Sequence, residues 1–554
     1  MTQSVTQVTK ETIPSYPTIQ GEFVKRTASA VTGSAAIAAA VALSLGMPAT
    51  AAVPTDTSEL RDAVTAEGAF KHIQEFQDIA DANGGTRASG TPGYDASADY
   101  VAGLLEAAGY EVERQPFDFP FFQELSTPEF ALVSPTSRTY VHEDEFITMD
   151  YSGSGDVTAL VQAVDLVLPP GAAANTSTSG CETADFDAFT AGNIALMQRG
   201  TCSFAVKAIN AEAAGAVAAI IFNEGQEGRT DVLAGTLGGP DVKIPVIGTS
   251  FAIGNELAQL ADATVHIATN TASETRSTEN VIAQTPGGRS DRVVVAGAHL
   301  DSVLEGPGVN DNGTGSATIL EIALQMAALD IEPRNQVRFA FWGAEESGLL
   351  GSEHYVSELT KREIKDIAVN LNFDMVGSPN YVRFVYDGDG SDTDPAGPTG
   401  SGNVESVFTE YFQSVNLSST PTQFSGRSDY GPFIAVGIPA GGLFTGAEGV
   451  KTPEQAEQYG GVAGQSYDPC YHSACDSLTP TYDTPELAAV YEALNAEYDL
   501  RGNVNMDALD EMSDAAAHAT QTFAMTTSAV SGTAKGSGNA KGAAMDFKGS
   551  HLQR

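Results

Sequence analysis

Positive charge is scarce in this sequence. Its 554 residues hold 28 Lys and Arg against 71 Asp and Glu, a net charge of −43. A surface so acidic repels nucleic acid and anionic membranes, which argues against both as partners. Cysteine is scarce as well. Only Cys181, Cys202, Cys470 and Cys475 are present. They are too few for a disulfide-built scaffold, but an even number that suits two bonds in an exported chain. Beyond residue 53 no stretch is long and apolar enough to span a bilayer. Histidine occupies eight positions, so two of them in ordered motifs carry weight. Apolar side chains, by contrast, are plentiful: 42 % of residues are hydrophobic, which supplies a substantial core and excludes a disordered chain. The length fits two or three folded units.

The N-terminus reads as an export signal. Lys25 and Arg26 precede an uncharged stretch that runs to Val53, apolar and alanine-rich from Ala35 to Leu45. Ala49-Thr50-Ala51 is a small-x-small cleavage pattern, so residues 1–51 are expected to be removed after Ala51 and the protein secreted. A retained membrane anchor is the alternative, but the apolar centre is short for a span. Sequence order pairs Cys181 with Cys202 and Cys470 with Cys475, one of three pairings open to four cysteines.

Hydrophobic periodicity gives the organisation. Ser58 to Leu105 reads as helical, interrupted by a turn from Asn83 to Tyr94. Tyr110 to Phe117 alternates like a strand, and the pattern then stops. From about Asp156 to Ala268 the texture changes to short buried strands (Asn193–Met197, Ala216–Phe222, Ile244–Ile247) and a helix from Phe204 to Ala214. This is an α/β module inserted into a larger one. The main pattern resumes at Val281, with strands Val293–Ala296, Val337–Trp342 and Ile367–Phe373 and a helix from Ser316 to Leu329. The expected division is 52–135 and 276–527 for one discontinuous domain, 136–275 for the insert and 528–554 for a flexible tail. Alternating strands and helices predict a three-layer α/β/α sandwich around a mixed, mostly parallel sheet. Its active site belongs beyond the carboxyl ends of the strands.

The chemistry lies in five segments that follow those strands: Gly297-Ala-His-Leu-Asp301, Gly308-Val-Asn-Asp-Asn-Gly313, Trp342-Gly-Ala-Glu-Glu346, Asn372-Phe-Asp374 and Cys470-Tyr-His-Ser-Ala-Cys475. Singly each is weak, since a Glu pair is usually a solvated face and a Gly/Asn/Asp run usually a turn. Together they place two imidazoles and several carboxylates at one rim of one sheet. Zinc takes such ligands and keeps a position open for water. Two zinc ions roughly 3.5–4 Å apart, bridged by a carboxylate, can clamp one water and lower its pKa. A further carboxylate then serves as general base. Adjacent Glu345 and Glu346 can divide the two tasks.

These segments resemble the co-catalytic zinc aminopeptidase family typified by the secreted aminopeptidase of Streptomyces griseus. The likeness continues through Gly426-Arg-Ser-Asp429 and the run from Gly437 to Gly446. It implies two zinc ions per chain, one held by His299 and Asp374, the other by Glu346 and His472, with Asp311 as bridge; calcium stays open as a further ion. It implies that Asp301 accepts the second ring N–H of His299, that Glu345 is the general base acting on the bridging water, and that Tyr471 stabilises the oxyanion. Arg427 would help place the substrate, Glu345 and Asp374 would receive its α-ammonium group, and Met375, Gly426, Phe444 and Tyr471 would line an apolar first pocket that favours leucine. A Cys470–Cys475 bond would hold Tyr471 and His472 rigidly. Asn310 departs from the pattern, standing where relatives often carry an acid. The insert resembles a protease-associated (PA) domain through Gly192 to Phe204; such domains carry no catalytic groups and gate access or contact substrate. The expected activity is removal of N-terminal residues from peptides by a monomer. Carboxypeptidase or glutaminyl cyclase chemistry on the same fold, and a silent binding protein, are the competing readings.

Overall fold

The computed structural model describes residues 55–531. The expected signal peptide, 1–51, and the tail beyond 531 lie outside the described residues. The tail is predicted from 528, but Ser528–Ser531 forms a helical turn instead, with Val530 buried in the main core. No helix among the described residues is long and apolar enough to cross a membrane.

Thr65 caps helix α1 (Ala66–Ala82) by accepting from the Gly68 N–H, and Pro92 opens α2 (Pro92–Ala107). Strand β1 (Glu111–Ser134) is far longer than its alternating pattern indicates. Phe117, Phe119 and Phe121 keep the alternation and are buried, whereas residues 123–127 are largely solvated on both faces and carry no period to read. The insert supplies β2 (Phe146–Thr148), β3 (Gly155–Ala163), β4 (Ile194–Gln198), helix α3 (Phe204–Ala213), β5 (Ala218–Phe222), β6 (Val246–Thr249) and α4 (Phe251–Gln259). Then come β7 (Thr264–Gln284), β8 (Arg289–His299), α5 (Gly313–Ala328), β9 (Asn335–Trp342), β10 (Ile367–Phe373), β11 (Phe384–Tyr386), α6 (Ser401–Ser414), β12 (Thr420–Thr422), β13 (Ala440–Phe444) and α7 (Met506–Met525).

Hydrogen-bonded strands run in the order β12-β11-β13-β10-β8-β9-β7-β3-β4-β5-β6-β2. The catalytic part has β9, β8, β10 and β13 parallel, flanked by antiparallel β7 and β11. Alternation along each strand fills two layers. Val294, Ala296 and Ala298 of β8 face the main core, with Phe339 and Phe341 of β9, Leu320 of α5 and Leu509 of α7. Val293 and Val295 face the opposite core, with Trp342, Tyr355 and Phe433. The result is the α/β/α sandwich that the alternation predicts.

The insert repeats this logic on a smaller scale. Leu196, Ile220 and Ile247 pack under α4, and Met197, Ile221 and Val246 pack under α3. Ser203 and Ser250 cap those helices through their hydroxyls. The two domains meet without a chain break, because β1 and β7 pair antiparallel from Glu111↔Gln284 to Ser134↔Thr264. Phe130, Leu132, Val265 and Ile267 of this long ribbon belong to the insert's core, so residue 275 falls within a continuous strand. Both expected disulfides are present, Cys181–Cys202 and Cys470–Cys475.

Cys181–Cys202 closes a loop with a sequence separation of 21 within the insert. Replacing both cysteines with alanine is expected to cost roughly 3 kcal/mol of stability. Urea unfolding followed by circular dichroism measures it; an unchanged midpoint would show that the bond does not constrain the insert.

Candidate active site

The parallel strands deliver their acids and imidazoles at one edge. β8 ends on His299. β9 ends on Trp342, and the following turn presents Glu345 and Glu346. β10 ends on Phe373, directly before Asp374. Asp311 sits just ahead of α5, and His472 stands in the loop closed by Cys470–Cys475.

These groups converge. His299 Nε2 lies 3.3 Å from Asp311 Oδ1 and 3.3 Å from Asp374 Oδ1. His472 Nε2 lies 3.3 Å from Asp311 Oδ2 and 3.0 Å from Glu346 Oε2. Asp311 therefore turns one oxygen to each imidazole and divides the donors into two sets. Nitrogen and carboxylate donors in this arrangement are those zinc takes, so the residues fit that metal. Glu345 Oε2 stands further off, 4.0 Å from His299 Nε2.

Burial makes the site electrostatically costly. His299, Asp311, Glu345 and Glu346 are all 5 % exposed or less. Burial alone would depress both imidazoles, but the neighbouring carboxylates outweigh it. Glu345 and Asp374 hold His299 well above its ordinary value, and Glu346 and Asp311 push His472 up to about 10. Burial would likewise raise Asp311, yet its two imidazoles keep it below the usual carboxylate range. Glu345 goes well up, through burial and then the charges of Glu346, Asp429 and Asp374.

Behind the donors is a scaffold that sequence motifs do not announce. Arg87, fully buried, donates to the carbonyls of Leu300, Pro307 (2.8 Å) and Gly308 (2.8 Å), which fixes the loop between His299 and Asp311. Burial lowers its guanidinium to about 10. Gly308 has φ 62°, and a Cβ there would sit 2.2 Å from the Asp311 carbonyl oxygen. Asp476 accepts the N–H groups of Asn310 and Asp311, both at 2.9 Å. Asn312 caps α5 and also bonds the Phe373 carbonyl and the Met375 N–H, tying Asp311 to Asp374. Asn310 bonds Asp468 at 2.6 Å, so its missing charge is a matter of loop support. Ala344, Met375 and His472 have left-handed φ values of 51°, 54° and 53°. Such non-glycine backbone costs about 1–3 kcal/mol each and is held only by its surroundings.

A cavity of about 330 Å³ opens over these groups. Among the predicted residues, His299, Asp311, Glu345, Glu346, Asp374, His472, Tyr471, Arg427, Met375 and Phe444 line it. Two do not. Gly426 lies behind the wall, its N–H given to the Tyr430 hydroxyl at 3.0 Å. Asp301 lies behind His299, with both its backbone carbonyl and its carboxylate near the ring. The Asp301 backbone carbonyl, 3.1 Å from His299 Nδ1, is the nearer partner, while its carboxylate stands at 3.7 Å and also accepts the Glu345 N–H. Arg427 pairs with Glu448 and donates to the Tyr471 hydroxyl at 3.2 Å; the Tyr471 ring stacks on His472 at 3.8 Å. Phe384, Tyr386, Tyr467 and Glu448 also line the cavity. They fall in short strands and loops with no motif, so only tertiary packing reveals them. His354 stacks on Phe117 away from the donors.

A third acidic group, Asp387 with Asp389 and Glu405, also comes together. Asp387 already accepts the N–H groups of Gly390, Ser391, Asp392 and Thr393, which accounts for it as a loop staple.

The model of peptidase family M28 matches residues 280–498, and that of the PA domain matches 162–257. An aminopeptidase of Pseudomonas aeruginosa is 46 % identical over 468 residues, spanning 84 % of this chain and 82 % of the relative. The chain belongs to peptidase family M28. Among solved structures, an aminopeptidase from an Aneurinibacillus species superposes with a TM-score of 0.58 at 27 % identity, covering 84 % of this chain and 95 % of the other. A zinc aminopeptidase from Bacillus subtilis gives 0.51 at 26 %, with coverages of 82 % and 94 %. The M28 peptidase thus carries its PA domain between β1 and β7, beside the candidate site.

Stripped of metal, the M28 peptidase should lose stability as pH rises from 6.5 to 8. Both site imidazoles have folded pKa values above the unfolded value, so their stabilisation is complete below about 6.5 and declines as pH climbs toward them. The window stops at 8, where buried Lys207 and Lys451, each held down to about 8 by burial, begin to titrate with the opposite sign. Thermal melts of chelator-treated protein check this; a melting temperature that rises over that range would contradict it.

Proposed function

We propose that this M28 peptidase is a secreted, two-zinc aminopeptidase that prefers large hydrophobic N-terminal residues. The observation that carries the reading is Asp311, with one oxygen against His299 and the other against His472. Asp311 would bridge the ions, His299 and Asp374 holding one and Glu346 and His472 the other. When bound, such a pair supplies Lewis acidity and makes water nucleophilic near neutral pH.

The chain's own residues do the rest. Asp374, oriented by the Ser428 hydroxyl at 2.6 Å, and Glu345 receive the substrate's α-ammonium group. Glu345, apart from the close ligand contacts, takes the proton of the attacking water and delivers it to the leaving amine. Tyr471, aligned by Arg427, donates its phenolic proton in a hydrogen bond to the developing oxyanion. Burial, and then Asp311 and Glu346, hold that phenol well above its ordinary pKa, so it stays a donor. Met375, Phe384, Tyr386 and Phe444 offer an apolar wall to the first side chain. The acid-rich rim suits an ammonium better than a C-terminal carboxylate, because Arg427 is already paired with Glu448. A full two-set ligand array likewise favours hydrolysis over single-zinc cyclase chemistry. Two disulfides suit the oxidising exterior that the leader implies. No calcium site is assigned.

Glu345→Gln should keep its metal content and lose about 10²–10⁴-fold in kcat on leucine p-nitroanilide. Normal turnover by that variant, or cleavage of N-blocked in preference to free peptides by the wild type, would refute the reading.

A further inference from the structure

A second, larger cavity of about 830 Å³ lies between the insert and the catalytic domain. Glu346 lines both it and the smaller cavity, so the two spaces adjoin at the proposed metal centre. From the insert it is lined by Tyr151, Arg199, Phe204 and Leu233, and from the catalytic side by Val303 and Leu304. Its size lies in the upper part of the range of ligand sites, roughly 300–1,000 Å³.

The insert presents its parallel strands end-on to this space. Arg199 follows β4, which ends at Gln198, and Asn223 follows β5, which ends at Phe222. Carboxyl ends of parallel strands are where such sheets bind ligands. Arg199 is also unusual in its charge environment. Its guanidinium makes one long bond, 3.5 Å to the Asn223 side-chain oxygen, and no carboxylate among the described residues lies within ion-pair distance of it. The nearby acid is already engaged: Glu224 accepts the N–H groups of Asn175 (2.7 Å) and Thr176 (2.9 Å) and pairs with Arg229. The lining of the cleft also carries Glu124, Glu143, Asp150 and Glu305, and Arg199 is the one Arg or Lys that the described residues place in it, so an anion entering the cleft is drawn to that point.

If the first residue fills the smaller cavity, the remaining peptide has to leave past Glu346. We infer that the cleft receives the peptide on the carboxyl side of the scissile bond, and that Arg199 pairs with a carboxylate of that segment. The inference rests on the aminopeptidase reading. It turns the PA domain into half of a binding groove, with Tyr151, Phe204 and Leu233 contacting peptide side chains and Arg199 selecting by charge. The carboxylate is either the substrate's C-terminus or an acidic side chain.

The test uses the whole protein and leucyl peptides of two to six residues, each as free acid and as C-terminal amide, with leucine release followed by mass spectrometry. For the wild type, at least one length should show kcat/KM about tenfold higher for the acid than for the amide, the size expected of one charge-assisted bond. If an acidic side chain is the partner, the gain should instead come from one glutamate placed within the amides. Arg199→Gln should abolish whichever preference is found, mainly through KM, and Arg199→Lys should retain most of it. Neither a free carboxylate nor a glutamate raising kcat/KM at any length overturns the inference, as does a preference that survives in Arg199→Gln. The wild-type comparison decides even where a variant fails to fold. Failure of the aminopeptidase reading would look different: no leucine released from any substrate, leucine p-nitroanilide included.

Discussion

The structure is organised around a buried concentration of like charge. Asp311, Glu345, Glu346 and Asp374 crowd two imidazoles in a site largely closed to solvent. Burying carboxylates is costly unless they are paired or hold metal. Among the described residues, their partners at contact distance are His299 and His472, whose pKa values the neighbouring carboxylates raise while no metal is bound. Much of the surrounding architecture serves to keep these groups where they repel one another. Arg87 pins one loop through backbone carbonyls, Asp476 pins the next through backbone N–H groups, and Asn312 joins two strand ends. Left-handed φ at Ala344, Met375 and His472 shows the same tension in the backbone.

The fold makes this concentration tolerable by separating it from the core. The parallel strands bury their lengths in two apolar layers and release their polar residues only at one edge. The insert hangs from the same sheet through the continuous ribbon of β1 and β7. A PA domain attached by a strand pair is positioned by the catalytic domain's own hydrogen bonding, and its strand ends face the cleft next to Glu346. That attachment is how a domain without catalytic groups would contribute to substrate recognition.

Elements with strong period were legible in the sequence. Residues 293–296, 337–342 and 367–373 read as buried strands because both faces are covered, and the His, Asp and Glu residues that follow them were recognisable by order and spacing. The length of β1 was not legible, since its middle is solvated on both faces and bears no alternation. Nor was the role of Arg87, whose guanidinium donates to backbone carbonyls more than 200 residues away. The pocket wall at Phe384, Tyr386 and Tyr467 depends on how short strands and loops pack. Asp301 stands beside His299, but which of its oxygens meets the ring is a matter of a few tenths of an ångström that no spacing encodes.

The proposed chemistry depends on the two donor sets holding two ions bridged by Asp311. Native mass spectrometry of the zinc-saturated protein measures this directly. Two zinc ions per chain in the wild type, with loss of at least one in Asp311→Ala, is the predicted result. A wild type that saturates at a single zinc, or an Asp311→Ala variant that keeps two, would contradict it.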